Sequence, residues 1–344
     1  MEKQLRIKPS LYILEESSDR YKVIFTSTRV IKTFQVDDLV KETIKELANP
    51  RTEGDFLRTL SKKFNPATIE SCLKALEGEG VIERYTKMNI DEKYQKQVSF
   101  LGELSGSLQE AVELQKKLEK TKIAVFGVGG IGSWMVNGLY QIGIGELRIV
   151  DPDIVEKSNL NRQLYYDTQD VGRNKVEVIK EKVRDAHIIP FKRWVSEETD
   201  LEEIVEGCDF LVNCTDSPSV ADTTRIISKY AKKHSQPYMI SGGYNLHLGM
   251  VGPIIVPGKT ACFDCFLAHQ VETNPLKNLK KIKDIEQTGN IGPIAGAIAN
   301  IQVMEIFKFL TGKGSYNANR FAEINFMDLS LEWRKFEKRE NCDC

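Results

Sequence analysis

The sequence predicts an α/β protein: a doubly wound, Rossmann-like parallel sheet preceded by a small winged-helix-like unit. Three observations lead there. An almost unbroken apolar segment, KIAVFG from Lys122, runs straight into a glycine-rich turn and an apolar helical stretch, IGSWMVNGLYQIG, as a strand covered on both faces by helices should. Strand-like and helix-like segments then alternate to the end of the chain. The first 90 residues show another order, with short strands, three helix-period segments and a return strand.

The 344 residues exceed one average domain, so two domains are expected. A hydrophobic share of 41% with 28% charged residues excludes collagen-like, low-complexity and wholly disordered classes. With 48 Lys+Arg against 49 Asp+Glu the net charge is -1, so no global field favours nucleic acid or an anionic membrane. Leu246 to Pro257 and similar apolar stretches are short and broken by Gly and Pro, below the ~20 residues of a span. The N-terminus lacks an apolar h-region and a small-residue cleavage site. A cytoplasmic protein with no membrane partner is the expectation.

Residues 1–90 form the first expected domain. LYILEES, YKVIFTS and RVIKTFQV are rich in β-branched and aromatic residues between polar turns. In DDLVKETIKELANP, Leu39, Ile44 and Leu47 recur at helical spacing, Asp37 or Asp38 is placed to cap, and Asn49-Pro50 stops the helix. Phe56, Leu57 and Leu60 mark a second helix, and Ile69, Cys72, Leu73 and Leu76 a third, ending at Gly78 and Gly80 before VIERY. Winged helices often bind DNA. This unit carries 16 Lys+Arg against 14 Asp+Glu, a net of +2, and its last helix sets Glu70, Glu77 and Glu79 against Lys74. A recognition helix facing phosphates should be basic, so no nucleic-acid partner is expected. Docking of an extended peptide on a sheet edge and along the third helix fits better. Residues 91–120 are polar, with a helical stretch, and read as a linker helix; residues 121–344 form the α/β domain.

Gly127-Val-Gly129-Gly130-Ile-Gly132 follows a strand and opens a helix. This G-x-G-x-x-G pattern lets a backbone approach phosphate at a helix N-terminus. Asp151, 19 residues past Gly132 at the end of the next strand, is placed for ribose hydroxyls. Alone, the motif says adenine nucleotide, NAD included. The next segment, Asp151-Pro-Asp153 through Asn159-Leu-Asn161-Arg162-Gln163 and on to Val171-Gly-Arg-Asn-Lys175, changes that. A dinucleotide's pyrophosphate is already served by helix amides, whereas a triphosphate broken at its innermost bond needs cations, Arg162 as a fork and Lys175 as a point charge. Each cation alone would read as solvated surface.

With these residues in order, followed by NCTDS, CFDC and the apolar helix GPIAGAIANIQVMEIFKFLTG, the chain from about residue 93 onward resembles the ubiquitin-activating-enzyme-like (ThiF/MoeB/HesA-type) adenylating superfamily. The resemblance implies ATP as nucleotide, with Gly127, Gly129, Gly130 and Gly132 against the phosphates, Asp151 and Asp153 near the ribose, and Asn159, Arg162, Gln163 and Lys175 around the triphosphate. Asp216 of NCTDS would hold Mg2+; read alone, it is a turn or cap acid. The family usually carries an Arg in a Y-x-R-Q motif that reaches into the partner subunit's site. Here the motif is Tyr94-Gln95-Lys96-Gln97, and Lys96 keeps the charge without the fork. A homodimer is also implied.

Seven cysteines without a secretory signal argue against a disulfide framework. By the same resemblance, Cys262 and Cys265 with Cys342 and Cys344 would bind structural zinc, although the tail pair is C-x-C rather than C-x-x-C. The other reading is a pair of exposed tail thiols. Cys72, Cys208 and Cys214 sit in apolar stretches and read as core. The crossover stretch from Phe266 to Pro293 has no cysteine, where thioester-forming relatives carry a nucleophile. Its Lys277, Lys280, Lys281 and Lys283 would attract an acidic peptide or simply be solvated. The winged-helix-like unit ahead of the α/β domain resembles the PqqD-type leader-binding element of peptide-maturation enzymes such as those for microcin C and pantocin. That implies adenylation of a carboxylate on a ribosomally made precursor peptide bound through its leader, in peptide antibiotic biosynthesis. The alternatives are activation of a sulfur-carrier protein's C-terminal glycine, a non-catalytic peptide scaffold and a DNA-binding regulator.

Overall fold

The structure, a computed structural model, describes residues 3–342 other than 276, 278, 280, 281 and 284–288. It divides into two compact units, Met1–Lys116 and Lys117–Cys344.

In the first unit β1 (Lys3–Ile7) precedes a meander of β2 (Leu11–Ser17), β3 (Arg20–Phe25) and β4 (Val30–Gln35). Then come α1 (Asp38–Glu46), β5 (Arg51–Thr52), α2 (Glu53–Leu60), α3 (Pro66–Gly78) and β6 (Ile82–Thr86). Two antiparallel sheets result, ordered β5-β1-β6 and β2-β3-β4. The helix starts follow capping chemistry. Asp37 accepts the Val40 amide at 2.9 Å, Thr52 the Asp55 amide at 3.1 Å, and Asn65 the Ala67 amide at 2.8 Å, with Pro66 in the first turn of α3. Pleat alternation sends Leu11 and Ile13 of β2 inward beside Val23, Phe25 and Phe34, onto a core of Leu5, Phe56, Ile69 and Leu73. The opposite face carries Tyr12, Leu14 and Ile31, all exposed. The acids of α3 are already engaged. Arg84 of β6 meets Glu53, Glu70 and Glu77 at 3.0 Å each, and Glu79 meets Lys32 of β4 at 2.7 Å. The stretch expected as one linker helix is two, α4 (Gln95–Ser105) and α5 (Leu108–Leu118), separated where Gly106 takes φ 76°.

The second unit is built on six strands ordered β14-β11-β10-β7-β8-β9: β7 (Lys122–Phe126), β8 (Glu146–Val150), β9 (His187–Phe191), β10 (Phe210–Asn213), β11 (Tyr238–Ile240) and β14 (Ile254–Ile255). All pairings are parallel except β11 with β14. Helices α6 (Gly130–Gln141), α7 (Lys175–Lys182), α8 (Glu202–Val205) and α9 (Val220–Lys233) fall between the strands. The strand order reverses between β7 and β10, which opens a crevice at the carboxyl ends there. The register aligns those ends, since Phe126 pairs with Val150 and Asn213, Val150 with Phe191, and Asn213 with Ile240. The next residue of each strand therefore lies along one edge.

A second, four-stranded antiparallel sheet joins β12 (Tyr244–Asn245), β13 (Leu248–Val251), β15 (Arg320–Asn325) and β16 (Ser330–Lys335). Between β14 and β15 come α10 (Phe263–Thr273) and α11 (Gly292–Thr311). By length and composition α11 could cross a membrane, contrary to the expectation that no segment approaches that size. Here most of it is buried and it packs on α6, as the core helix of a globular domain does.

Candidate nucleotide site

The aligned edge shapes a cavity of about 550 Å3. Gly127 follows β7 at φ 83°, and a Cβ there would press on the Cys214 backbone at 2.9 Å. At Gly132 a Cβ would lie 1.9 Å from the Gly127 carbonyl oxygen, so the helix starts this close to the strand only with glycine. No side chain caps the N-terminus of α6, which leaves its first amides available to an anion. Gly127, Gly129 and Gly130 line the cavity; Gly132 stands behind it in the helix.

Asp151, 5% exposed, ties the turn together. One carboxylate oxygen accepts the Val128 amide at 2.8 Å and the other the Asp153 amide at 2.9 Å. Burial raises its pKa, partly opposed by Lys175 and these two amides. Beyond its expected place at the ribose, Asp151 braces the glycine turn, and each oxygen retains a further lone pair. Lys175, 6% exposed at the start of α7, points its ammonium at Asp153, 2.8 Å away. Lys182 and Arg173 clamp the buried Asp170 at 2.5 and 3.1 Å, fixing the approach to α7.

The loop bearing Asn159, Arg162 and Gln163 is fastened to α6. The Trp134 indole donates to the Arg162 carbonyl at 3.1 Å, the Leu164 amide to the Ser133 hydroxyl at 3.1 Å, and the Tyr165 hydroxyl to Asn137 at 3.2 Å. The Arg162 guanidinium donates to the Ser158 carbonyl at 2.5 Å and to the Asn161 amide oxygen at 3.2 Å. Both partners are neutral, so its charge is available to a ligand. Asn159 accepts the Glu156 amide at 3.0 Å and so shapes the loop. The Gln163 amide oxygen is buried, lacks a partner among the described residues, and belongs to a side chain lining the cavity. Asp216, beyond β10, is an exposed carboxylate on the cavity with no ion pair or hydrogen bond among the described residues. One free carboxylate facing a phosphate site fits Mg2+, which typically takes one or two carboxylates plus phosphate oxygens.

Apart from Gly132, the expected nucleotide residues thus converge on one cavity. Lys96 is not in that lining group; it lies on α4 of the first unit. Other lining residues carried no signal in the sequence. Trp194, after β9, is an exposed indole at the rim, and Ser241, Gly242, Gly243 and Tyr244 form the end beyond β11. Each is a single residue delivered by strand register. Cys214 also lines the cavity; burial pushes its thiol up to about 12, a hydrogen bond with Ser241 opposing. It is therefore a neutral thiol near neutral pH, without nucleophilic character.

Elsewhere in this unit Cys262, Cys265 and Cys342 gather. Their sulfurs lie within 4.8 Å of one another, with Cys262 3.8 Å from Cys265 and 3.4 Å from Cys342. Thiolates around one tetrahedral zinc at ~2.3 Å stand about 3.8 Å apart, so the cluster fits such an ion. Cys344, the expected fourth ligand, and Lys280 and Lys281 of the crossover lie outside the described residues.

The chain is similar to several known proteins. The SAMP-activating enzyme E1 of Haloferax volcanii is 28% identical over 236 residues, covering 67% of this chain and 82% of its own length. The adenylyltransferase and sulfurtransferase UBA4 of Lodderomyces elongisporus is 32% identical over 211 residues, 59% of this chain. The chain spans only 43% of that relative. Among solved structures, Escherichia coli MccB with ATP superposes with a TM-score of 0.73 at 22% identity, covering 99% of both chains. PaaA superposes at 0.72 and 22% identity, covering 96% of this chain and all of that one. At these identities the likeness shows the fold. The glycine turn braced by Asp151, the Arg162 loop and the Lys175 helix all lie within residues 94–344, which match the ThiF family throughout, and the chain belongs to that family.

Proposed function

We propose that this ThiF-family protein adenylates a carboxylate on a ribosomally made precursor peptide, held through its leader by the first unit, as a step in the biosynthesis of a peptide antibiotic. The observation that carries the reading is the pairing of a triphosphate-type pocket with a strand-and-three-helix unit whose β4 is an open sheet edge. An extended leader would add to β4 and run along α3, the PqqD-type mode of peptide capture. Support comes from the fold likeness to MccB, which extends over 99% of both chains and includes MccB solved in complex with N-formylated MccA.

In this reading ATP lies with its ribose at Asp151, its base toward Trp194 beyond β9, and its phosphates on the glycine turn. The peptide carboxylate oxygen attacks the innermost phosphorus. The new O–P bond forms as the bond to the β-phosphate oxygen breaks, and pyrophosphate leaves with the electron pair. Arg162 and Lys175 neutralise the departing charge, Lys175 exchanging Asp153 for phosphate. Asp216 would hold Mg2+, which supplies charge neutralisation at the phosphates. Most of the acceleration comes from positioning and charge. The crossover has no cysteine and Cys214 is a neutral thiol, so the acyl-adenylate passes to a nucleophile outside the enzyme's thiols, giving nucleotidylation, cyclisation or condensation. Zinc on Cys262, Cys265, Cys342 and Cys344, a homodimer, and Lys96 acting across it in place of the family arginine complete the proposal.

A second reading, activation of the C-terminal glycine of a ubiquitin-like sulfur carrier, is favoured by the sequence relatives, a SAMP-activating enzyme and UBA4 proteins. ATP–pyrophosphate exchange with each class of substrate separates the two. Arg162→Ala should abolish exchange while leaving peptide binding intact; unchanged exchange contradicts the adenylating mechanism, and exchange driven only by a carrier protein selects the second reading.

A further inference from the structure

Tyr244 opens β12 at the end of the cavity beyond β11. Its ring packs against the buried cluster of Ile131, Ile294, Ile298 and Ala299, and this packing fixes where the phenol points. The hydroxyl stands over the N-terminus of α6. A Cβ built on Gly130 would lie 2.5 Å from the Tyr244 oxygen, the nearest atom to it outside the local helix backbone. That hydroxyl has no hydrogen-bond partner among the described residues, although it lies in a polar cavity beside an uncapped helix start.

The backbone carrying Tyr244 is held from behind. Gln302, fully buried in the apolar α11, accepts the Gly242 amide at 2.9 Å and donates to the Ser241 hydroxyl at 3.2 Å. The Met250 amide donates to the Gly243 carbonyl at 2.9 Å. A buried amide with both ends satisfied costs little and rigidifies its surroundings. Here it rigidifies the segment immediately before Tyr244.

A phenol is neutral near pH 7 and donates one hydrogen bond. Aimed at a helix N-terminus, it extends the row of backbone donors by one, in the region an anion must fill. Resting on the adenylating reading, we propose that the Tyr244 hydroxyl donates to an oxygen of the innermost phosphoryl group of ATP and that Gln302 is the positioning residue that holds it there. The innermost group is the assignment because it is the one joined to the ribose at Asp151 and lies on the glycine turn, whereas the outer groups reach the cations.

Calorimetric titration with adenosine, AMP and ATP tests this without knowledge of the peptide. A hydrogen bond to a charged group contributes enough to predict that Tyr244→Phe weakens AMP and ATP alike by about 10-fold and leaves adenosine unchanged. Gly130 is not in the positive-φ region, so Gly130→Ala sets a methyl group against the hydroxyl without straining the backbone. It should weaken AMP in the native background and much less in Tyr244→Phe. Gln302→Leu should reproduce part of the Tyr244→Phe loss and add nothing to it. Unchanged affinities in Tyr244→Phe, or an equal loss for adenosine, overturn the proposal while leaving the adenylating reading standing. A native protein that binds none of the three brings down both.

Discussion

The two units solve opposite problems with similar parts. In the second unit almost every chemically important group is tied into the scaffold before any ligand arrives: Asp151 by two amides, Lys175 by Asp153, the Arg162 loop by three side chains of α6. In the first unit the core is equally buried, yet the outer face of β2–β4 leaves Tyr12 64% and Ile31 60% exposed, and among the described residues β4 has no strand beyond it. Rigid preorganisation suits a site that stabilises charge on a small reactive group. An unpaired edge with apolar neighbours suits a long, variable chain that supplies its own backbone hydrogen bonds. On the proposed function, chemistry and recognition are separable, so each should be lost without the other.

The largest effect is expected on the rigid side. Asp216→Asn should lower pyrophosphate exchange by 100-fold or more while the fold and leader affinity stay intact, by analogy with removal of one preorganised charge-stabilising group. Equal loss of leader binding would break the separation. Next comes the thiol cluster. The purified chain should carry about one zinc, and Cys262→Ser should lose it, read by elemental analysis; a metal-free native protein would remove the zinc assignment.

Arg84→Met strands Glu53, Glu70 and Glu77 around a lost cation in a partly buried network. About 2 kcal/mol should be lost from the first unit, lowering the first of two thermal transitions while the second, with ATP affinity, stays put. A single merged transition would mean the units unfold together. Lys32→Glu places a second acid against Glu79 where β4 meets the end of α3. Leader affinity should fall only about 3-fold, since exposed pairs contribute little, with nucleotide binding unaltered.

The smallest effect concerns Cys214. Its folded-state pKa, about 12, lies above an ordinary thiol value near 9. The stabilisation from keeping it protonated is therefore complete below pH 9 and is lost as pH rises toward 12. At pH 8 iodoacetamide should leave it unmodified in the native protein and alkylate it once urea unfolds the chain, read by mass spectrometry.

Much of the site was legible because its residues are spaced by the fold itself. A strand, a glycine turn and a helix put Gly127 to Gly132 at one end of a crevice, and Asp151, Arg162 and Lys175 follow within one βαβ length. The three thiols were legible by chemical type. Tyr244, Trp194 and Gln302 were not, because each reaches the cavity through pairings of strands far apart in sequence, or from a helix whose apolar run hides one buried amide. Asp151 shows another limit. Its position on a strand end indicates ribose, but only coordinates reveal that both carboxylate oxygens already hold the turn. In the linker, Gly106 divides what composition alone presented as a single helix.

On the proposed function, the cavity beside the glycine turn takes a triphosphate rather than a redox dinucleotide. Competitive titration of the intact protein with Mg-ATP and NAD tests it most directly. One ATP per chain should bind, at least about 10-fold more tightly than NAD because Arg162 and Lys175 make charge-assisted contacts to the extra phosphate, with the preference collapsing in Arg162→Ala. Tighter binding of NAD, indifferent to Arg162, would contradict it.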